Sequence, residues 1–179
     1  MWELNQSIFL FFYSLAHIHP MLDWVVVMVA EILPYLLGIA VVLHAFRSHH
    51  LKKGLTEIIW IAFPVFSAFL FSVAIKAITE IPRPFVYARD VTPLVSVSDP
   101  FGSFPSSHAI VFSSLGFALY LHDRRIGVIF ACCALLIGMA RIVAGVHWPL
   151  DIFFGILFGQ LFAIIWHGIE QKFGVSKTW

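Results

Sequence analysis

Five stretches of this chain are apolar for nearly the length a helix needs to cross a bilayer, about 20 residues. They run roughly over 21–46, 55–79, 106–121, 126–146 and 149–169 of the 179 residues. A chain with that pattern has few options, because lipid offers no hydrogen bonds to an open backbone, and only helices or closed barrels satisfy their own. Runs this long, without two-residue alternation, predict helices. The expected fold is therefore an all-α polytopic membrane bundle of five transmembrane helices in one domain, 1–179. Composition agrees: 60% of residues are apolar and 12% charged, against about a quarter charged in an ordinary soluble domain. A net charge of +1 without any basic block argues against a nucleic-acid partner. No removable signal peptide is expected, since a basic region followed by a cleavage site is missing at the start. The adjacent Cys132 and Cys133 fall in an apolar run and are expected to pack as small hydrophobes, with no metal spacing.

Residues 4–17 are too short to span comfortably. On a 3.6-residue helix Glu3, Gln6, Ser7, Ser14 and His17 share one side and Ile8, Phe9, Phe11, Phe12 and Leu15 the other. This predicts a helix lying in the interface, with a sixth, tilted span as the alternative. The one long linker, 80–104, holds four of the nine prolines, and long irregular connections tend to carry function.

Lys and Arg in the short loops set the orientation. Alternating spans put Arg47, Lys52, Lys53, Arg124, Arg125, Lys172 and Lys177 on one face and Lys76, Arg83, Arg89 and Arg141 on the other, seven against four. The first face is expected to be cytoplasmic, and the second to look toward the periplasm or cell exterior.

That second face collects the unusual polar residues. Lys76 ends the second span and Arg83 follows it; Pro105-Ser106-Ser107-His108 opens the third; Arg141 ends the fourth, before His147 and Asp151. Ionisable groups at membrane depth are costly, so they are functional candidates. Three cations suit a dianionic phosphoryl group whose charge spreads over its oxygens as a bond breaks. Ser106 and Ser107 stand where a helix begins, so their N–H groups and the helix dipole can hold another oxygen. One imidazole can attack phosphorus when a carboxylate orients it, and Asp151 lies four residues after His147. The other imidazole, His108, can protonate the departing oxygen. Neither a carboxylate cluster for Mg²⁺ nor a zinc spacing accompanies these groups, so no metal and no cofactor is expected in the reaction.

Lys76-x6-Arg83-Pro, Pro-Ser-Ser-His108 and Arg141-x5-His147-x3-Asp151 resemble the three-block signature of the type 2 phosphatidic acid phosphatase (PAP2) superfamily. The resemblance implies that His147 is a nucleophile forming a phosphohistidine, Asp151 its orienting partner and His108 the general acid, while Lys76, Arg83, Ser106 and Arg141 grip phosphate. Two positions depart from the pattern: Ser107 replaces a glycine and Ala140 a serine. Ser107 crowds the backbone approach but offers a hydroxyl, so substrate fit is affected more than chemistry.

Within the superfamily, the small size, the N-terminal helix and the Pro-Arg-Pro-Phe stretch resemble bacterial undecaprenyl-diphosphate phosphatases of the bacitracin-resistance type, which act in peptidoglycan synthesis. The resemblance implies a bacterial inner-membrane enzyme with lipid phosphate as substrate and lipids as surroundings. The alternatives are a phosphatidylglycerophosphate or lipid A phosphatase and, in another class, a silent lipid-phosphate-binding protein. Two auxiliary candidates remain. Arg89, paired with Asp90 in solvent or meeting a second phosphate, is one. Glu31 is the other, either satisfied by backbone freed near Pro34 or lining a lipid entrance. His17, His19, His44, His49, His50, His122 and His167 are expected at surfaces or interfaces.

Overall fold

Apolar surface that faces lipid cannot drive helices together, so close approach of small residues must do it. In the computed structural model, which describes residues 2–47 and 51–173 (the side chains of 51–53 excepted), α6 (Ser107–His122) occupies the middle of the bundle on that principle. It packs against α4 (Leu51–Thr79), α7 (Arg124–Val143) and α8 (Pro149–Lys172). Gly155 and Gly159 of α8 meet Ala109 and Ser113 of α6, and a Cβ at Gly159 would run into the Ser113 hydroxyl and the Ile110 carbonyl. The backbones touch there because neither glycine has a side chain.

Around this centre stand α1 (Trp2–Tyr13), α2 (Pro20–Val27), α3 (Leu33–Ala45) and the short α5 (Pro84–Tyr87). A π-helical turn, Met28–Ile32, joins α2 to α3 in one continuous rod over Pro20–Ala45. Every described element is helical, as expected, and four helical segments are long and apolar enough to cross a membrane: Pro20–Ala45, Gly54–Tyr87, Arg124–Val143 and Pro149–Lys172. The chain is an integral membrane protein. The 16 residues of α6 extend only about 24 Å at 1.5 Å per residue, and its enclosure by longer helices fits that length.

Caps place the helix starts. Asp123 Oδ1 accepts from the Arg125 and Ile126 amides to open α7, and Asp151 Oδ2 accepts from the Trp148 amide to open α8. The first helix differs from its expectation. It ends at Tyr13, so Ser14 and His17 lie beyond it, and it buries Asn5 and Phe9, leaving Leu4, Leu10 and Phe11 exposed. At 12 residues α1 covers about 18 Å, too short for a tilted span of a core about 30 Å thick. Its anchor is polar: Asn5 Oδ1 accepts from the Leu150 amide at 3.1 Å, at the first turn of α8.

The 80–104 linker folds over one end of the bundle. Arg83 N donates to Pro100 O, Ser103 N to Ile81 O, and Leu94 N to Ala144 O. Gly145 turns the chain after α7 with φ 76°, in a space bounded by Tyr13 and Val91 that a side chain would crowd. His49, His50 and Lys177 lie outside the described residues, as do the side chains of Lys52 and Lys53, so the charge count over the loops rests on sequence.

Candidate active site

Burying a guanidinium is costly unless each N–H finds an acceptor, and Arg83, 5% exposed, is held almost entirely by backbone carbonyls. Nε donates to Asp99 O at 2.7 Å, Nη2 to Gly102 O at 2.9 Å, and Nη1 to Val146 O at 2.9 Å. These bonds pin the linker to the turn between α7 and α8. Lys76 Nζ donates to the same Gly102 carbonyl at 2.7 Å, which leaves it two further N–H donors.

Nη1 of Arg83 also donates to His147 Nε2 at 3.2 Å. A guanidinium has no lone pair to offer, so Nε2 must be the accepting nitrogen and the proton of neutral His147 sits on Nδ1. Nδ1 stands 3.3 Å from Asp151 Oδ2. That carboxylate oxygen also receives the Ser103 hydroxyl at 2.6 Å and the Trp148 amide at 2.8 Å. Three donors therefore fix Asp151, and Asp151 fixes the ring. His147 lies between the spans and is 1% exposed. Burial first, and then the charges of Arg83, Arg141 and Lys76, hold its imidazole well below the ordinary 6.5. A neutral ring with an unprotonated Nε2 is the form that can attack an electrophile.

Arg141, also 5% exposed, comes from the last turn of α7. Its Nη1 donates to Glu31 Oε1 at 2.6 Å, and its Nε is buried without a hydrogen-bond partner among the described residues. An unsatisfied charged donor beside two other cations is a ready place for an anionic oxygen. Glu31 sits in the π-helical turn, a helix irregularity often found at functional sites. Its carboxylate is held by Arg141 rather than by backbone freed near Pro34.

Ser106, fully buried, caps α6, and its amide donates to Asp151 O at 3.2 Å. The Ser107 hydroxyl is 2.8 Å from that of Ser72 on α4 and ties two helices together. His108 lies beside Phe69 and Val111 at a separate opening of about 230 Å³, within electrostatic range of Arg141, Lys76 and Arg83. A larger cleft of about 550 Å³ borders Lys76, walled by Val73, Glu80, Asp99 and Phe101. Arg89 is exposed just past α5, next to the exposed Asp90.

Lys76, Arg83, Arg141, His108, His147 and Asp151 thus converge on one end of the bundle, as the spacing predicts. Ser103 and Ser72 were not singled out in the sequence; a lone serine in a loop or helix carries no signal until its partner is in place. The set can bind a phosphoryl group, present a neutral imidazole to phosphorus and supply a second imidazole for proton transfer.

The chain is similar to known proteins. Residues 57–174 match the family described as the PAP2 superfamily. The chain is 32% identical to the protein named bacitracin transport permease protein BcrC of Bacillus licheniformis, over 90% of this chain and 78% of that one. It is 30% identical to undecaprenyl-diphosphatase BcrC of Bacillus subtilis strain 168, over 83% and 75% respectively. The crystal structure of Aquifex aeolicus LpxE superposes with a TM-score of 0.74 at 28% identity, covering 92% of this chain and 95% of that one.

Proposed function

The chain belongs to the PAP2 superfamily and is a membrane lipid phosphatase, and from that premise we propose that it hydrolyses undecaprenyl diphosphate to the monophosphate at the outer membrane face. The observation that carries the chemistry is the His147 ring, with Nδ1 on Asp151 and Nε2 beside Arg83. In the proposed reaction Nε2 attacks the terminal phosphorus and the bond from phosphorus to the bridging oxygen breaks. That oxygen leaves with the lipid monophosphate and takes the proton carried by a protonated His108, whose ring is left neutral. Water then gives its proton to His108 and attacks the phosphohistidine, releasing inorganic phosphate and regenerating the neutral ring. Lys76, Arg83 and Arg141 oppose the charge spread over the equatorial oxygens, and the unpartnered Arg141 Nε supplies a donor for one of them.

A diphosphate is favoured for two reasons. A relative matched over most of its length bears the name undecaprenyl-diphosphatase, and the cleft of about 550 Å³ beside Lys76 gives a second phosphate room. A long polyprenyl tail stays in the bilayer, each buried CH₂ contributing about 0.8 kcal/mol. The outer-face assignment rests on the seven-to-four distribution of Lys and Arg. Another relative is named a transport permease; moving a phosphate-bearing lipid needs cations but not an Asp-oriented imidazole, so this geometry favours hydrolysis.

The test is side-by-side kcat/KM in one detergent for undecaprenyl diphosphate, its monophosphate, phosphatidylglycerophosphate, lipid A and phosphatidic acid. Preference for the diphosphate is expected, narrowed in Arg89→Ala with monophosphate hydrolysis largely intact. A higher value for lipid A or phosphatidylglycerophosphate would retire the substrate assignment.

A further inference from the structure

At the end of the bundle away from His147, the last residue of α6 meets the last two turns of α8. His122 Nε2 lies 3.0 Å and His167 Nδ1 3.2 Å from one oxygen, Oε2 of Glu170, and the three donor atoms all fall within 4.8 Å of one another. We propose that His122, His167 and Glu170 form a binding site for a single divalent transition metal of the zinc class, clamping α6 to α8.

The donor spacing is that of a coordination sphere. Ligand atoms about 2.0–2.1 Å from a tetrahedral zinc lie about 3.3 Å apart, close to the two distances found. The rings are also turned as metal ligands are, with the remote nitrogen held elsewhere. His122 Nδ1 donates to Ala118 O at 2.7 Å, which aims Nε2 at Glu170, and His167 Nε2 is 2.9 Å from the Gln171 side-chain nitrogen. That amide, turned about its last bond, presents its oxygen instead and keeps the His167 proton on Nε2.

The setting calls for a cation. The Glu170 side chain is 3% exposed and that of His122 9%. A buried carboxylate needs positive charge nearby. A protonated His122 supplies one unit and a divalent ion two. The cavity these residues line, closed by Trp60, Pro64 and Trp166, holds about 10 Å³, room for one atom-sized occupant. An N₂O donor set suits zinc and its first-row neighbours rather than Mg²⁺ or Ca²⁺, which want all-oxygen shells. Because the cluster is at the far end from Lys76 and His147, the proposed ion takes no part in phosphoryl transfer.

The experiment uses full-length protein in detergent with its affinity tag removed, stripped with EDTA and re-equilibrated with excess Zn²⁺ or, for spectroscopy, Co²⁺. The wild type is expected to bind one more zinc per chain than Glu170→Gln or His167→Gln. It alone should show the visible Co²⁺ bands of a low-coordinate nitrogen–oxygen site and a Tm that rises with Zn²⁺. All three proteins should hydrolyse substrate at similar rates in EDTA, which separates this site from the phosphatase reading. Equal stoichiometry in wild type and variants, or no zinc bound by the wild type, overturns the proposal. Should Glu170→Gln fail to fold, His167→Gln serves alone, since that ring sits at the cluster's edge with 21% exposure.

Discussion

Glu31 and Arg141, 110 positions apart in sequence, meet at 2.6 Å and join the π-helical turn to the end of α7. The arginine is almost wholly buried while the Glu31 side chain is 37% exposed. The carboxylate therefore aims a buried cation from the rim of the site.

Removing that aim should weaken phosphate binding. A hydrogen bond to a charged group contributes about 1.5–3 kcal/mol, so Glu31→Ala is expected to lower kcat/KM roughly 10- to 100-fold, mainly through KM. Glu31→Gln, which keeps an acceptor oxygen, should fall between the two. Steady-state kinetics on purified variants decides, and unchanged constants in Glu31→Ala would remove Glu31 from the site.

The Asp151 carboxylate offers a graded series. His147→Ala should abolish turnover. Asp151→Asn should cost several orders of magnitude, as loss of an imidazole-orienting carboxylate does in protease triads, about 10⁴. Ser103→Ala removes one of the donors to Oδ2 while the Trp148 amide remains, so a loss of only about tenfold in kcat is expected. A His147→Ala protein retaining a tenth of wild-type rate would end the nucleophile assignment.

The folded His147 resists protonation because of burial and the neighbouring cations. An unfolded chain takes up this proton near pH 6.5, the folded one only well below it. Stability is therefore fully present above that pH and lost as pH falls from 6.5 toward the folded value. Histidine-selective NMR, assigned with His147→Gln, should find the ring still neutral below pH 6.5. A midpoint at 6.5 would contradict the electrostatic account of the pocket.

Orientation is checked in a background lacking Cys132 and Cys133. Cysteine at the exposed Ser98 should react with an impermeant maleimide on intact cells, or on spheroplasts where an outer membrane intervenes. Cysteine at the exposed Arg125 should not. The reverse pattern would turn the protein over and point to a cytoplasmic lipid.

What the sequence revealed follows from cost. Lys76, Arg83, Arg141 and Asp151 stand out because charge in an apolar chain is expensive, and the helices because their apolar runs are long. Carbonyls carry no residue identity, so the grip of Asp99, Gly102 and Val146 on Arg83 could not be read. The ends of α1 were misjudged because periodicity alone did not reveal that Asn5 turns inward to Leu150. His122 and His167 were assigned to surfaces or interfaces, and only the parallel run of α6 and α8 brings the ends of both helices, and so these two rings, to Glu170. Gly155 and Gly159 did carry a signal, a small-x3-small spacing, fulfilled by Ser113 on the facing helix.

The bond from Arg83 to His147 Nε2 acts as a safety catch. The lone pair that would attack phosphorus is already occupied by a hydrogen, so a passing neutral electrophile finds the imidazole blunted. A phosphate dianion carries its own release, because its oxygens are better acceptors for that guanidinium than an imidazole nitrogen. In the proposed reaction the arginine that grips phosphate thereby unlocks the group that attacks it, and reactivity becomes conditional on charge.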